Sequence, residues 1–194
     1  MEQFEYVMAL ISVIVGLALT HVLSACGAAI HRIRGHGPAI KLELVYLLWI
    51  LWTVIILASF WWWEFKLQQT EVTWTLGIYF FLILYSISFF LIAVVLVPER
   101  MEGVSNSFEY LISVRHWFFG LVLANQLIDI YDTSLKGMDW VMRPSYLIQA
   151  SIYVVACIVG MLSKARPVHL ALAFVTLAAQ IIYILIEMNA LGSW

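Results

Sequence analysis

The sequence predicts an all-α integral membrane protein, a polytopic bundle of six transmembrane helices with both termini on the non-cytoplasmic side. Three observations predict it. Of 194 residues, 64% are hydrophobic and 11% charged, far outside the range of soluble domains, because a soluble chain of this size could not hide so much apolar surface. The apolar residues fall into six runs, each near the length of about 20 residues that crosses a hydrocarbon core about 30 Å thick. Lysine and arginine gather on alternate loops, which sets the direction of insertion.

The first run covers 4–30 and stops at Gly35, Gly37 and Pro38. Leu23, Ser24, Ala25 and Cys26 match a lipoprotein cleavage site. Acidic Glu2 and Glu5, His21 within the apolar segment, and His31, Arg32 and Arg34 just after it oppose such processing, so the segment is expected to remain as a helix. The second run covers 42–65 and the third 74–97, closed by Pro98, Glu99 and Arg100. The segment 105–113 is too polar to span, with Phe108, Tyr110 and Leu111 set among Asn106, Ser107 and Glu109. It reads as a short interfacial helix before the fourth span, 114–131. Pro144 precedes the fifth, 145–163, and Pro167 the sixth, 168–189. The loops are short, so successive helices are antiparallel neighbours in a single domain.

The first, third and fifth loops carry Arg32, Arg34, Lys41, Arg100, Arg115, Lys164 and Arg166. The opposite side holds Lys66, Lys136 and Arg143. The richer side is expected to be cytoplasmic. Trp61, Trp62, Trp63, Trp74, Trp140 and Trp194 all fall at the other interface, where an indole keeps its ring in apolar surroundings and its N–H near water.

Polar residues inside the spans carry what functional signal there is. In the first span Glu5, Ala9, Ser12, Gly16, Thr20 and Ser24 follow steps of three or four and form one stripe. Ser12, Gly16, Thr20 and Ser24 suit close helix packing, and a hydrated path or an oligomer axis is the functional alternative; on either reading this face is expected to avoid lipid. In the sixth span His169, Ala173, Thr176, Gln180, Tyr183 and Glu187 form a second stripe. The fourth adds Asn125, Asp129 and Asp132, with Gln126 adjacent. The expected bundle is organised around these three spans, with the second, third and fifth more lipid-facing.

Glu5, Glu64, Asp129, Asp132 and Glu187 are all expected near the non-cytoplasmic interface, where they would concentrate cations unless each is simply solvated. His21 lies deeper. Its imidazole can bond a neighbouring helix, relay a proton or ligate a metal, and the metal question stays open. A haem between two histidines would pair His21 with His116 or His169, which sit nearer the helix ends. His31 and His36 belong to a basic loop facing headgroups. Cys26 and Cys157 lie in apolar runs and read as buried thiols.

The net charge of −2 and the scattered basic residues argue against a nucleic-acid partner. The chain shows no phosphate-cradling glycine loop, no zinc-binding His-Glu-x-x-His, no Gly-x-Ser-x-Gly elbow and no Cys-x-x-Cys. No cofactor is expected, and an enzyme is less expected than a transport protein. Residues 4–20 with His21, the run Trp61, Trp62, Trp63 and Glu64, and the run Arg115, His116, Trp117, Phe118, Phe119 and Gly120 resemble a group of small polytopic bacterial inner-membrane proteins of unassigned function. That resemblance implies a bacterial inner-membrane location and carries over no catalytic residue.

The leading expectation is an ion channel or small-solute transporter, homo-oligomeric or with a membrane-protein partner. Its polar path would run between the first, fourth and sixth spans past His21, Glu5, Glu64, Asp129, Glu187, Gln180 and Asn125. The alternatives are a non-transporting sensor, assembly or defence-effector module, and a haem or quinone redox protein.

Overall fold

In the computed structural model, which describes residues 3–35, 40–70, 72–98 and 104–188, the chain is helical almost throughout. His36, Gly37, Pro38, Glu99, Arg100, Asn189 and Trp194 lie outside the described residues. The helices are α1 (Gln3–Ile33), α2 (Leu44–Glu64), α3 (Leu76–Leu96), α4 (Ser107–Lys136), the single turn α5 (Met138–Val141), α6 (Pro144–Leu162) and α7 (Arg166–Glu187). A 3-10 turn, Phe65–Gln69, extends α2. Six of them, all but α5, are long and apolar enough to cross a membrane.

Local chemistry fixes the ends. Thr75 Oγ1 accepts from Ile78 N–H at 3.3 Å to start α3, and Asn106 Oδ1 accepts from Phe108 N–H at 2.9 Å to start α4. Pro144 and Pro167 occupy the first turns of α6 and α7, where the missing N–H matters little. Gly137, at φ 135°, stops α4.

The expected interfacial helix at 105–113 is not separate, because no Gly or Pro interrupts the chain after the Asn106 cap until Gly120. One helix therefore runs from Ser107 to Lys136, 30 residues or about 45 Å. The polar residues of its first turns extend it rather than break it.

α2, α3, α4, α6 and α7 close a ring in which α3 packs on α4, α4 on α6, α6 on α7, α7 on α2 and α2 on α3. α1 lies outside this ring, against α3 and α2. Its buried face is apolar: Phe4, Val7, Met8, Ile11, Val15, Ala18 and Val22. Glu5, Ala9, Ser12, Gly16, Thr20 and Ser24 are all exposed. The stripe expected to avoid lipid thus lies on the outside of the bundle, with Ser12 at its edge accepting from Trp61 Nε1 of α2 at 3.0 Å, and a Cβ added at Gly16 would meet nothing within 4 Å.

The α2 helix, expected to be lipid-facing, is instead central, with Trp49, Trp52, Thr53 and Leu57 almost fully buried. Between lipid and bundle interior the apolar environment changes little, so large apolar residues do not reveal which way they point.

At the basic end, which carries the loops after α1, α3 and α6, the last carbonyls of α3 have no helical partner, and Pro98 brings no N–H. Three other helices supply donors. Tyr110 of α4 donates to Val95 O at 3.0 Å, Tyr46 of α2 to Leu96 O at 3.0 Å, and His21 Nε2 of α1 to Val97 O at 2.7 Å. A carbonyl only accepts, so this contact fixes the proton on Nε2.

The same end is latched by Glu43. Its carboxylate receives Lys41 Nζ at 2.7 Å and the Arg166 guanidinium, while its N–H donates to Ser107 Oγ at 2.9 Å. Short backbone bonds from Lys41 N to Ser105 O, 2.8 Å, and from Ser107 N to Lys41 O, 3.1 Å, complete the join.

The Lys41 hydrogen bond first, then the positive charges of Arg166 and Lys41, outweigh burial and hold the Glu43 carboxyl below its ordinary value. A lowered folded-state value means that the latch stabilises fully above the ordinary carboxylate range and is lost as pH falls through the folded-state value. The stability gap between the wild type and Glu43→Gln is therefore expected to be flat near neutral pH. It should shrink only below about pH 4.3, as followed by thermal unfolding in detergent across a pH series.

Candidate functional site: a polar cavity within the helix ring

Inside the ring lies a cavity of about 70 Å³, room for about five water molecules. α2, α3, α4, α6 and α7 each contribute to its wall. α4 presents Asn125, Gln126 and Asp129 at helical spacing. The carboxylate of Asp129 takes three donors: Tyr85 OH of α3 at 2.6 Å, Tyr146 OH of α6 at 2.7 Å, and Gln126 Nε2 at 3.1 Å. Three donors from three directions keep an acid satisfied in low dielectric without a basic partner in contact.

A second knot sits on Gln180 of α7. Its Oε1 accepts from Gln149 Nε2 at 2.7 Å and Tyr153 OH at 2.5 Å, both on α6. The Tyr153 oxygen in turn accepts from Trp52 Nε1 of α2 at 2.9 Å. Asn125 Nδ2 donates to Ser88 Oγ of α3 at 2.7 Å.

Aromatic side chains flank the cavity toward both ends. Toward the basic end, Trp52 stacks edge-on with Trp49 at 5.5 Å, and Trp49 meets Phe118 and Phe119 at 5.3 Å each. Gly160 of α6 admits this cluster, since a Cβ there would stand 2.5 Å from the Phe119 ring. Toward the end that carries the termini, Trp63 packs on Trp140 of α5 at 5.7 Å. Lys66 Nζ lies 2.6 Å from the Trp140 ring centre and Arg143 Cζ 3.3 Å from it.

Above the cavity, Lys136, Glu64 and Asp132 form an ion cluster with side chains fully buried. Lys136 Nζ is 2.8 Å from Glu64 Oε1 and also bonds Asp132, one turn back on the same helix. Glu187 receives Arg143 Nη1 at 2.5 Å and Ser145 Oγ at 2.6 Å.

The sequence candidates therefore separate. Asp129, Gln180 and Asn125 line one cavity. His21 caps α3, Glu64 is neutralised in the ion cluster, Glu187 ties α7 to α6, and Glu5 is exposed on α1. Asp129 is also deeper than expected, about two turns inside the end of α4.

Of the three polar stripes, those of α4 and α7 turn inward, His169, Thr176, Gln180 and Tyr183 all being buried. That of α1 does not join them. Tyr85, Tyr146, Gln149, Tyr153 and Trp52 were absent from the sequence candidates. The signal for three of them was present: Tyr146, Gln149 and Tyr153 recur at steps of three and four on one face of α6.

Among the described residues no group of His, Cys, Asp and Glu is placed to hold a metal ion. Cys26 and Cys157 are both free thiols. No protein family, curated protein or solved structure matches the chain.

Removing the ammonium from the ion cluster leaves two buried carboxylates facing each other. Lys136→Met is expected to destabilise the protein by about 3–5 kcal/mol, and the triple replacement Lys136→Met, Glu64→Leu, Asp132→Leu to recover most of that loss. Reversible unfolding in mixed micelles measures both.

Proposed function

We propose that this chain is a transport protein of a bacterial inner membrane and that it carries a small polar or charged solute through the cavity around Asp129. In this reading the basic loops face the cytoplasm and both termini face outward. One observation carries it: an acid, four amides and a set of tyrosine hydroxyls surround an open space inside a ring of apolar helices. A single acid at membrane depth costs about 2.5–3.5 kcal/mol. A bundle needing only to hold together could fill the same volume with leucine.

The path differs from the one that the sequence suggested. It runs between α2, α3, α4, α6 and α7, with α1 outside, and aromatic side chains flank it toward both ends.

Flux assays on proteoliposomes loaded with a pH reporter, a monovalent-cation reporter or radiolabelled small solutes test this. Protein-dependent flux of one of these species is expected, reduced at least about tenfold by Asp129→Asn. No flux of any species would overturn the reading. Flux kept by Asp129→Asn but abolished by His21→Ala would also overturn it, by moving the path to α1.

A second reading, compatible with the first, rests on the exposed stripe of α1. Small residues at four-residue spacing let a second helix approach closely, and a twofold contact places the same stripe on both partners. The assigned occupant is a second copy of the chain. Gly16→Leu, at an exposed position where an added Cβ meets nothing within 4 Å, is then expected to shift a dimer to monomer on light scattering in detergent while leaving thermal stability unchanged. A wild-type monomer would remove this reading.

A further inference from the structure

Resting on the solute-cavity reading, we infer that the occupant is a compact organic cation of the ammonium type, held by the Asp129 carboxylate against aromatic walls.

Several polar groups of the wall are already committed. The hydroxyls of Tyr85 and Tyr146 donate to Asp129, and that of Tyr153 to Gln180. The Trp52 indole donates to Tyr153. These donors cannot also serve a guest. What the wall still offers is the carboxylate of Asp129, the hydroxyls of Thr133 and Tyr183, the second N–H of each side-chain amide, and the faces of aromatic rings. An anion would meet the carboxylate and no lysine or arginine of the wall to answer it. A neutral solute would leave the carboxylate charge unanswered.

The other charges around the cavity strengthen the point. Glu64 and Asp132 share Lys136, and Glu187 is paired with Arg143. Lys66 Nζ lies over the rings of Trp63 and Trp140. Among the described residues that line the cavity, Asp129 is the one acid, and no lysine or arginine lines it.

Inorganic cations fit less well. Sodium and potassium need a shell of oxygens to replace their water. Here much of the wall is carbon, from Trp52, Phe60, Trp63, Tyr85, Phe89 and Tyr183. Ring faces attract an alkylammonium by cation–π interaction, with about 2 kcal/mol or more available when the site is desolvated. A cavity of about 150 Å³ holds benzene, so this one, about half that volume, favours the smallest members of the class, with tetramethylammonium near its upper limit.

Tetramethylammonium and tert-butanol have nearly the same size and shape and differ in charge, so they form the decisive pair. Binding is read on the full chain in detergent by the shift of thermal unfolding and by intrinsic tryptophan fluorescence. Sodium chloride at matched ionic strength is the control. The expected result is a saturable response to tetramethylammonium, none to tert-butanol or sodium, and an apparent Kd raised at least about tenfold by Asp129→Asn.

Equal binding of tert-butanol, a saturable sodium response of the same affinity, or unchanged affinity in a folded Asp129→Asn protein would overturn the inference. The comparison of probes on the wild type decides the matter even if that variant does not fold. Saturable binding of tert-butanol alone would remove the cation and leave the solute cavity standing. Silence of every probe, with no flux in liposomes, would remove both.

Discussion

The carboxylate of Asp129 joins three helices in a place where water does not reach freely. It accepts from α3 through Tyr85, from α6 through Tyr146 and from its own α4 through Gln126. In hydrocarbon, association between helices draws little from the hydrophobic effect, since lipid tails are as apolar as leucine. Directional polar contacts therefore set which helices become neighbours. Gln180 does for α6 and α7 what Asp129 does for α3, α4 and α6, and Trp52 extends that knot to α2 through Tyr153. Each helix of the ring thus contributes a side chain to one connected wall. The cavity follows from the same requirement: tyrosines and amides that reach across to a common acceptor hold apart the helices that leucines would have let collapse.

A similar logic governs the ends. The bilayer tolerates no unsatisfied backbone group, so the last carbonyls of α3, left without helical donors where the helix stops, recruit Tyr110, Tyr46 and His21 from three helices. This places α1 beside α3 even though α1 does not line the ring. Glu43 collects Lys41 and Arg166 on the same side. At the opposite end the buried Lys136 cluster and the partly exposed Arg143–Glu187 pair do the equivalent. Polar bonds in the middle determine who is adjacent, and polar bonds at the two ends determine the relative heights.

The spans themselves were legible, because length and apolarity are nearly sufficient to specify a transmembrane helix. The inward faces of α4 and α7 were legible too, since Asn125, Asp129, Gln180 and Tyr183 repeat at helical spacing. What was not legible has a common cause. Tyrosine and tryptophan count as apolar in a hydropathy pattern, so Tyr85 and Trp52 were invisible beside the groups they serve, and Tyr146 and Tyr153 showed only in their helical spacing with Gln149. The same ambiguity hid the centrality of α2, whose buried residues are as apolar as those facing lipid. Asp129 was placed too shallow because apolarity fades after Tyr131, whereas the helix runs on to Lys136, held by the buried ion cluster. The polar stripe of α1 shows the converse error: polarity was read as a sign of the interior, and the apolar face is the one that packs.

The acids that the sequence places together near one interface do not act together. Glu64 and Asp132 share one ammonium in full burial, and Glu187 has its own guanidinium. Lys66 adds positive charge at the same level, over the Trp63 and Trp140 rings. In the transport reading, a cation approaching that end meets a nearly balanced field, so charge selection is not seated there. Asp129 has no basic group in contact, and its three hydrogen bonds satisfy its oxygens without cancelling its charge. Coulomb attraction strengthens as the effective dielectric falls, so the same unit charge does more two turns inside the bundle than at its rim. In the transport reading, discrimination by charge belongs to the depth of Asp129, and the aromatic walls around it discriminate by shape.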